Sequence, residues 1–328
     1  MLIDFNYVGC YRSNKSEKSE FSIDIDAQAP YLRDHLVPDT LNIVKRLETH
    51  EILNLTPRQN EIYIDDGAGE KMETILQFIE QMDSNETILK KRIGSEFVCN
   101  RGLLVKLAMD KYKKFFAVKR KDVIFMCVDG HDFSGYDENA HMSMKFEKLI
   151  TDDPFYMKQT NNMRLIRTGI RTKVVNQIKF QNVTVLSSAE VDCRDHNGNI
   201  VELKRTKKCR EEHLRNRQNN VKLKEFLQSY LSNTEYILTG YSKQKEGGRL
   251  EIDELDMIHR DSLIGDSPKV EKAIKHLSDT LLELKTLLSE NNTAIKVTWD
   301  NRLNRLRYNH INADDCQIVP QDFLNKFD

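Results

Sequence analysis

The chain reads as an α/β fold: a single domain of mixed, largely antiparallel β-sheets flanked by helices. Three observations predict this. Strand-like segments come in runs broken by a few helices, the order expected when helices pack on a mixed sheet. The segment Pro268 to Ser289 is strongly amphipathic at helical period, with Pro268 in its first turn. No internal repeat and no long Pro/Gly/Ser linker divides the 328 residues, so residues 1–328 are expected to form one domain.

The elements follow in chain order. Ser13-Asn14-Lys15-Ser16-Glu17-Lys18-Ser19-Glu20, residues 13–20, is the one low-complexity stretch and is expected to be a mobile loop. From Gly69 to Met82, apolar Met72, Ile75, Leu76, Phe78 and Ile79 recur at helical spacing. Leu103 to Met109, Phe115 to Lys119 and Val123 to Val128 read as strands, the last two joined by the charged Arg120-Lys121-Asp122. Asn139 to Ile150 reads as a helix carrying Glu147. Met163 to Val175, Gln177 to Phe180, Val183 to Cys193 and Ile200 to Arg205 are strand-like. Cys209 to Tyr230 is a long charged helix. Tyr236 to Tyr241 and Arg249 to Met257 form a hairpin across Gly247-Gly248. After the Pro268 helix come two final strands, Ala294 to Trp299 and Leu303 to Tyr308.

Composition narrows the function classes. With 39% hydrophobic residues there is ample core material, and 31% charged residues make a well-solvated surface. A net charge of -1 excludes a generally basic nucleic-acid coat, so any such contact must come from a local cluster. The six cysteines (Cys10, Cys99, Cys127, Cys193, Cys209, Cys316) include no Cys-x-x-Cys pair, and the nine histidines no His-x-x-x-His pair. This argues against zinc and against a disulfide framework, and fits a reducing compartment. No signal-like or membrane-length apolar run is visible, so the expectation is a soluble intracellular protein with no membrane partner.

The chemistry concentrates between Glu190 and Lys204. Glu190-Val191-Asp192 is followed, after nine residues, by Glu202-Leu203-Lys204. The turn signal between them is His196-Asn197-Gly198. A two-residue Asn-Gly turn would put Asp192 and Glu202 on opposite faces. A three-residue loop, His196 to Gly198 with Gly198 left-handed, pairs Asp192 with Glu202 and brings Glu190, Asp192, Glu202 and Lys204 to one face. The odd loop is the expectation. Hard divalent cations such as magnesium and manganese take oxygen ligands. Two of them about 3.5–4 Å apart can activate water and stabilise a leaving oxygen in in-line displacement. Glu147 could complete the carboxylate set, and Lys204 could neutralise an attacked phosphate. The bland alternative is a surface hairpin of alternating charge; Val191, Val201 and Leu203 weigh against it by making the strands half buried.

These segments resemble the DXO family of decapping exoribonucleases, whose core is related to the PD-(D/E)XK nucleases. The resemblance covers roughly residues 95 to 310 as motifs in the right order. They are Arg101-Gly102-Leu103-Leu104-Val105-Lys106, Met144-Lys145-Phe146-Glu147, Glu190-Val191-Asp192-Cys193, Val201-Glu202-Leu203-Lys204, and Gln228-Ser229-Tyr230-Leu231 followed by Thr239-Gly240-Tyr241. Carried over residue by residue, the resemblance implies that Glu147, Asp192 and Glu202, with the Leu203 backbone carbonyl, hold two divalent cations, Mg2+ or Mn2+. Glu190 would act through a metal-bound water and lie near the substrate. Lys204 and Gln228 would contact the scissile phosphate. Arg101 would hold an RNA phosphate near the 5′ end, with Asn100 and Gly102 beside it and Arg33 as a looser second arginine. Two positions depart from the family pattern: Ser143 stands where glycine is usual, and Asn100 where an aromatic is common.

The implied activity is hydrolysis at RNA 5′ ends: removal of incomplete or non-conventional caps (unmethylated, triphosphate, NAD) and degradation 5′ to 3′. The alternative is a weakly catalytic or non-catalytic partner that stabilises a separate 5′-3′ exoribonuclease; a DNA-directed nuclease of the same broad class is a third reading. Nuclear placement follows from the resemblance only. Arg205, Lys207, Lys208, Arg210, Arg215 and Arg217 form a basic run that is either a solvated helix face or a phosphate attractor. Trp299 and the Phe115/Phe116/Phe125 set read as core, and Cys193 as a packed thiol.

Overall fold

The computed structural model describes residues 3–14, 21–23, 29–58, 61–64, 70–109, 114–129, 137–153, 164–167, 170–207, 214–264, 268–300 and 305–328. In its first half lie β1 (Asp4–Asn14), β2 (Val44–Arg46), β3 (Leu53–Asn54), β4 (Glu61–Ile64), α1 (Glu73–Gln81), α2 (Leu89–Ile93), β5 (Phe97–Asn100), α3 (Arg101–Ala108), β6 (Lys114–Arg120), β7 (Val123–Val128) and α4 (Glu138–Ile150). The second half holds β8 (Arg164–Arg167), β9 (Ile170–Lys179), β10 (Thr184–Val191), β11 (Cys193–Arg194), β12 (Ile200–Lys207) and α5 (Leu214–Tyr230). It ends with β13 (Tyr236–Gln244), β14 (Leu250–His259), α6 (Pro268–Leu287), β15 (Thr293–Asp300), β16 (Arg305–Asn312) and α7 (Gln321–Leu324).

An eight-stranded sheet runs β1-β9-β10-β5-β7-β6-β15-β16. A six-stranded sheet runs β11-β12-β13-β14-β2, with β3 also on β14. Antiparallel pairs dominate, and β10/β5, β5/β7, β12/β13 and β4/β8 are the parallel ones among the described residues. The expected mixed, largely antiparallel α/β architecture is the one observed.

Helices cover both faces of the large sheet. On one face α3, α5 and α6 bring Leu104, Leu107, Leu227 and Leu281 onto Phe97 and Phe115. On the other, α1, α2 and α7 bring Ile75, Phe78, Leu89 and Phe323 onto Val98 and Phe125. Alternate residues of β5 thus enter different cores, which is why Phe97-Val98-Cys99 is apolar without a break. Trp299 is partly buried against the first core, as Phe116 is against the second.

The second sheet is covered by α4. Its Met142, Phe146 and Ile150 pack on Val201, Leu203, Leu238 and Ile252. Full burial of Phe146 alone is worth about 1.5–3 kcal/mol. Its ring lies where Gly240 has no side chain: a Cβ there would stand 2.8 Å from the Phe146 ring and from Ile252 Cδ1. Glycine in the Thr239-Gly240-Tyr241 motif therefore sets how closely α4 approaches β13.

Two expectations need correction. Leu103 to Met109 is not a strand: Arg101 to Ala108 forms α3. Its near-continuous apolar run buries helix residues against α6 and the sheet, and such a run has no period that separates strand from buried helix. The expected strand from Val183 to Cys193 is broken at Asp192: β10 ends at Val191 in the large sheet and β11 begins at Cys193 in the smaller one. Of the expected loop at 13–20, Ser13 and Asn14 belong to β1, and residues 15–20 lie outside the described residues. Residues 208–213 of the expected long helix also lie outside them.

Candidate active site

The sheet switch creates the site. Residues 195–199 join β11 to β12, with Cys193 paired to Val201 and Arg194 to Ile200, so Asp195 faces Asn199 and His196 to Gly198 form the three-residue tip. Asp195 N–H donates to Asn199 O at 2.9 Å, Gly198 N–H donates to Asp195 O at 3.0 Å, and Gly198 has φ 84°. This left-handed position suits glycine. Asp195 accepts from the N–H groups of Asn197 and Asn199, closing the turn. Continuing the register by one pair brings Asp192 level with Glu202. The ladder has ended there, and the Asp192 side chain takes over: its Oδ2 accepts the Leu203 N–H at 2.7 Å.

Glu202 is buried at 3% exposure, so its charge needs partners. Arg101 Nη1 donates to its Oε2 at 3.0 Å, and Lys204 Nζ donates to its Oε1 at 2.5 Å. Burial opposes its charge, but Arg101 and then Lys204 outweigh that and hold its pKa down at about 2. Asp192 behaves in the opposite way. Burial first, and the Glu202 charge second, push it up to about 7. Glu147 is raised well above the usual carboxylate range by burial and then by Asp192 and Glu190. For Lys204, burial is outweighed by Glu202 and Asp192, so it stays protonated.

The remaining residues come from several elements. Arg101 is the first residue of α3, and its Nη1 also reaches Gln228 O and Ser232 Oγ on the far side, each at 3.4 Å. Asn100 does not cap the helix with its side chain. Instead its Nδ2 donates to Lys71 O at 2.6 Å and its Oδ1 accepts from Ser188 Oγ at 2.8 Å. Among the described residues beyond its own helix turn and chain neighbours, nothing lies within 4 Å of a Cβ built at Gly102, so this side of the start of α3 is open. Ser143 donates back to Asn139 O within its own helix at 2.9 Å. Arg33 is not brought to the site: its Nε donates to Thr151 O at 3.1 Å, at the end of α4, and it lines neither cavity described below. Cys193 is a packed thiol, fully buried and pushed well above its usual pKa by burial. Arg205 of the basic run reaches Ser143, Ser242 and Asn139, at 3.3 to 3.5 Å.

Two cavities meet at Glu190. A narrow slot of about 40 Å³ is lined by Glu147, Asp192, Glu190, Arg12, Lys148 and Arg171, among others. A cleft of about 410 Å³ is lined by Asn100, Arg101, Gly102, Lys106, Arg171, Lys173 and Glu190, among others. Sequence reasoning missed Arg171 and Lys173. Their spacing of two puts them on one face of β9, but only the pairing of β9 with β10 shows which acids they face.

Among the described residues, no three His, Cys, Asp or Glu side chains converge closely enough to form a ready metal cage. Arg101 and Lys204 each engage one of the two Glu202 carboxylate oxygens. The donor set nevertheless fits a hard divalent cation: all its side chains are carboxylates, and Glu147 and Asp192 are held against their own charges in a buried slot.

A family model described as RAI1 like PD-(D/E)XK nuclease matches residues 7–324. The chain belongs to this family. It is similar to the decapping nuclease dom-3 of Caenorhabditis elegans, at 26% identity over 345 residues, covering 94% of this chain and 83% of the relative. Its fold is that of Candida albicans Rai1, crystallised in complex with pU5-Mn2+, with a TM-score of 0.74 at 12% identity over 99% of this chain and 96% of the other. It is also similar to S. pombe Rai1 in complex with 3'-FADP, with a TM-score of 0.68 at 16% identity over 94% and 95% of the two chains. This RAI1-like chain thus keeps the family architecture at low identity, with its carboxylates at the junction of the two sheets.

Proposed function

We propose that this protein is an RNA 5′-end decapping nuclease that uses divalent cations to hydrolyse phosphate linkages at or near the 5′ terminus. The observation that carries the reading is the grouping of Glu147, Glu190, Asp192, Glu202 and Lys204 at the sheet junction, beside a cleft lined by Arg101, Lys106, Arg171 and Lys173. The naming of the similar nematode protein as a decapping nuclease, and the RNA and manganese in the Candida complex, support it.

Glu147, Asp192 and Glu202, with the Leu203 carbonyl, are the proposed cation ligands, and Glu190 acts through water. Divalent cations bound there would lower the pKa of water and screen charge on the attacked phosphate. Lys204, kept protonated between Glu202 and Asp192, is placed to neutralise a phosphate oxygen once Glu202 turns to a cation. Gln228 would donate to the same phosphate. Arg101, beside the open start of α3 at Asn100 and Gly102, would hold an RNA phosphate near the 5′ end. Residues 1–328 working as one nuclease domain, and nuclear residence, belong to the same proposal; the family match over residues 7–324 supports the former.

The test is manganese-dependent hydrolysis of RNA carrying 5′-monophosphate, triphosphate, unmethylated-cap or NAD ends, with Glu147→Gln beside the wild type. Release of end groups or nucleotides by the wild type and not by the variant is the expected result. A folded wild type that turns over none of these ends would defeat the nuclease reading and favour a partner of a separate 5′-3′ exoribonuclease.

A further inference from the structure

We propose that Arg171 is a further substrate-binding residue of this site, holding the phosphate that adjoins the attacked one on its 5′ side. The inference rests on the decapping reading above. β9 runs antiparallel to β10, with Lys173 across from Glu190 and Thr172 across from Val191. The next residue, Arg171, is therefore level with Asp192, where β10 has just ended. Its Nη1 lies 3.2 Å from Glu190 Oε2. Among the described residues, only Arg171 and Glu190 line both the carboxylate slot and the cleft. A substrate with its scissile phosphate at the slot and its end in the cleft must pass Arg171.

Two neighbouring cations sit on buried acids, while Lys106 also lines the cleft and Arg12 the slot. Lys173 pairs with Glu70 in a buried contact at 7% and 9% side-chain exposure, supported by Thr74. Arg101 is held on the buried Glu202. The Arg171–Glu190 pair is different: its side chains are 25% and 32% exposed. A partly solvated pair of this kind contributes little and exchanges readily. A guanidinium can also give a phosphate two parallel hydrogen bonds, which an ammonium cannot. As Glu190 turns to a cation-bound water, the guanidinium would exchange this carboxylate for the phosphate. The cleft is assigned to the 5′ side because Arg101, read above as the 5′-end residue, lines it.

The test uses the full chain, Ca2+ in place of Mn2+, and labelled RNA pentamers with a 5′-triphosphate or a 5′-hydroxyl, read by fluorescence anisotropy. Arg171→Gln should bind the triphosphate RNA about tenfold more weakly, the size of one lost charge-assisted contact, and the hydroxyl RNA almost as wild type does. Arg171→Lys should recover part of the loss; if the Gln variant does not fold, the Lys variant carries the comparison, since it keeps the charge but not the paired donors. Equal weakening on both RNAs would assign Arg171 to the general backbone and overturn the proposal, as would no weakening on either. A wild type that prefers the triphosphate while Arg171→Gln keeps that preference overturns the role of Arg171 alone. A wild type that binds both ends alike overturns the 5′-end reading and this proposal with it.

Discussion

Replacing Asp192 by Asn should make the metal-free protein more stable at alkaline pH, although it removes a proposed ligand. The Asp192 carboxyl is pushed from its ordinary 3.8 up to about 7, first by burial and then by Glu202. At about 1.4 kcal/mol per pH unit, that rise corresponds to about 4 kcal/mol. The folded protein keeps this proton up to about pH 7, whereas the unfolded chain loses it near 3.8. Stability therefore falls as pH rises through this window, and the full cost is present above it. Asn carries no charge and still offers an oxygen to the Leu203 N–H. In EDTA at about pH 8.5, urea unfolding should show Asp192→Asn more stable by up to about 4 kcal/mol, with less than half that gap at about pH 5. Glu202→Gln should do the reverse. Arg101 and Lys204 hold this buried carboxyl near 2 against an ordinary 4.5, so its charge contributes stability above 4.5 that is lost as pH falls toward 2. Its removal should cost roughly 3 kcal/mol at neutral pH. Added Ca2+ should stabilise the wild type more than Asp192→Asn. If both variants shift stability in the same direction at pH 8.5, or Asp192→Asn unfolds before the wild type, the reasoning about this cluster is refuted.

Two further predictions concern how α4 is seated. Gly240→Ala would drive a methyl to 2.8 Å from the Phe146 ring and Ile252 Cδ1, costing about 1–3 kcal/mol and shifting Glu147, so both the melting temperature and hydrolysis should fall. Adding Phe146→Leu should restore part of both, and the lack of any such coupling in the double mutant would count against the contact. Lys145 Nζ meets Glu61 Oε2 at 2.6 Å with both side chains almost fully buried. Lys145→Met strands the Glu61 charge and should cost about 3–5 kcal/mol in urea unfolding, while Lys145→Met with Glu61→Gln should lie closer to wild type; a double variant as damaged as the single would refute the stranded-charge account.

Much of the architecture was legible because it is local. The helical periods of α1, α4 and α6 and the hairpin of β13 and β14 are patterns within one segment, and the structure contains them. The parity of the His196 to Gly198 loop could be argued from where the acids had to point, and the observed register of Cys193 with Val201 agrees. α3 was misread because Leu103, Leu104, Val105, Leu107 and Ala108 are all buried and only Lys106 interrupts them, a run too short to show its period. The break at Asp192 was invisible because both its sides read as one extended run. Arg33 failed to reach the site because it is tied to the end of α4, a contact over a sequence separation of 118.

By itself, the sequence determined the mixed α/β class, the elements with strong local periods, the odd hairpin loop, and the residue types able to hold hard cations near phosphate. Those follow from spacing, turn chemistry and ligand preference, which operate over a few residues. Only the tertiary structure decided that β10 and β11 belong to different sheets and that Arg101 and Lys204 share the buried Glu202. The same holds for the closeness of α4 to β13 across Gly240 and for the place of Arg171 where cleft and slot meet. These depend on pairings between distant strands, and an antiparallel neighbour is chosen by the packing of the whole sheet rather than by the residues that end up side by side.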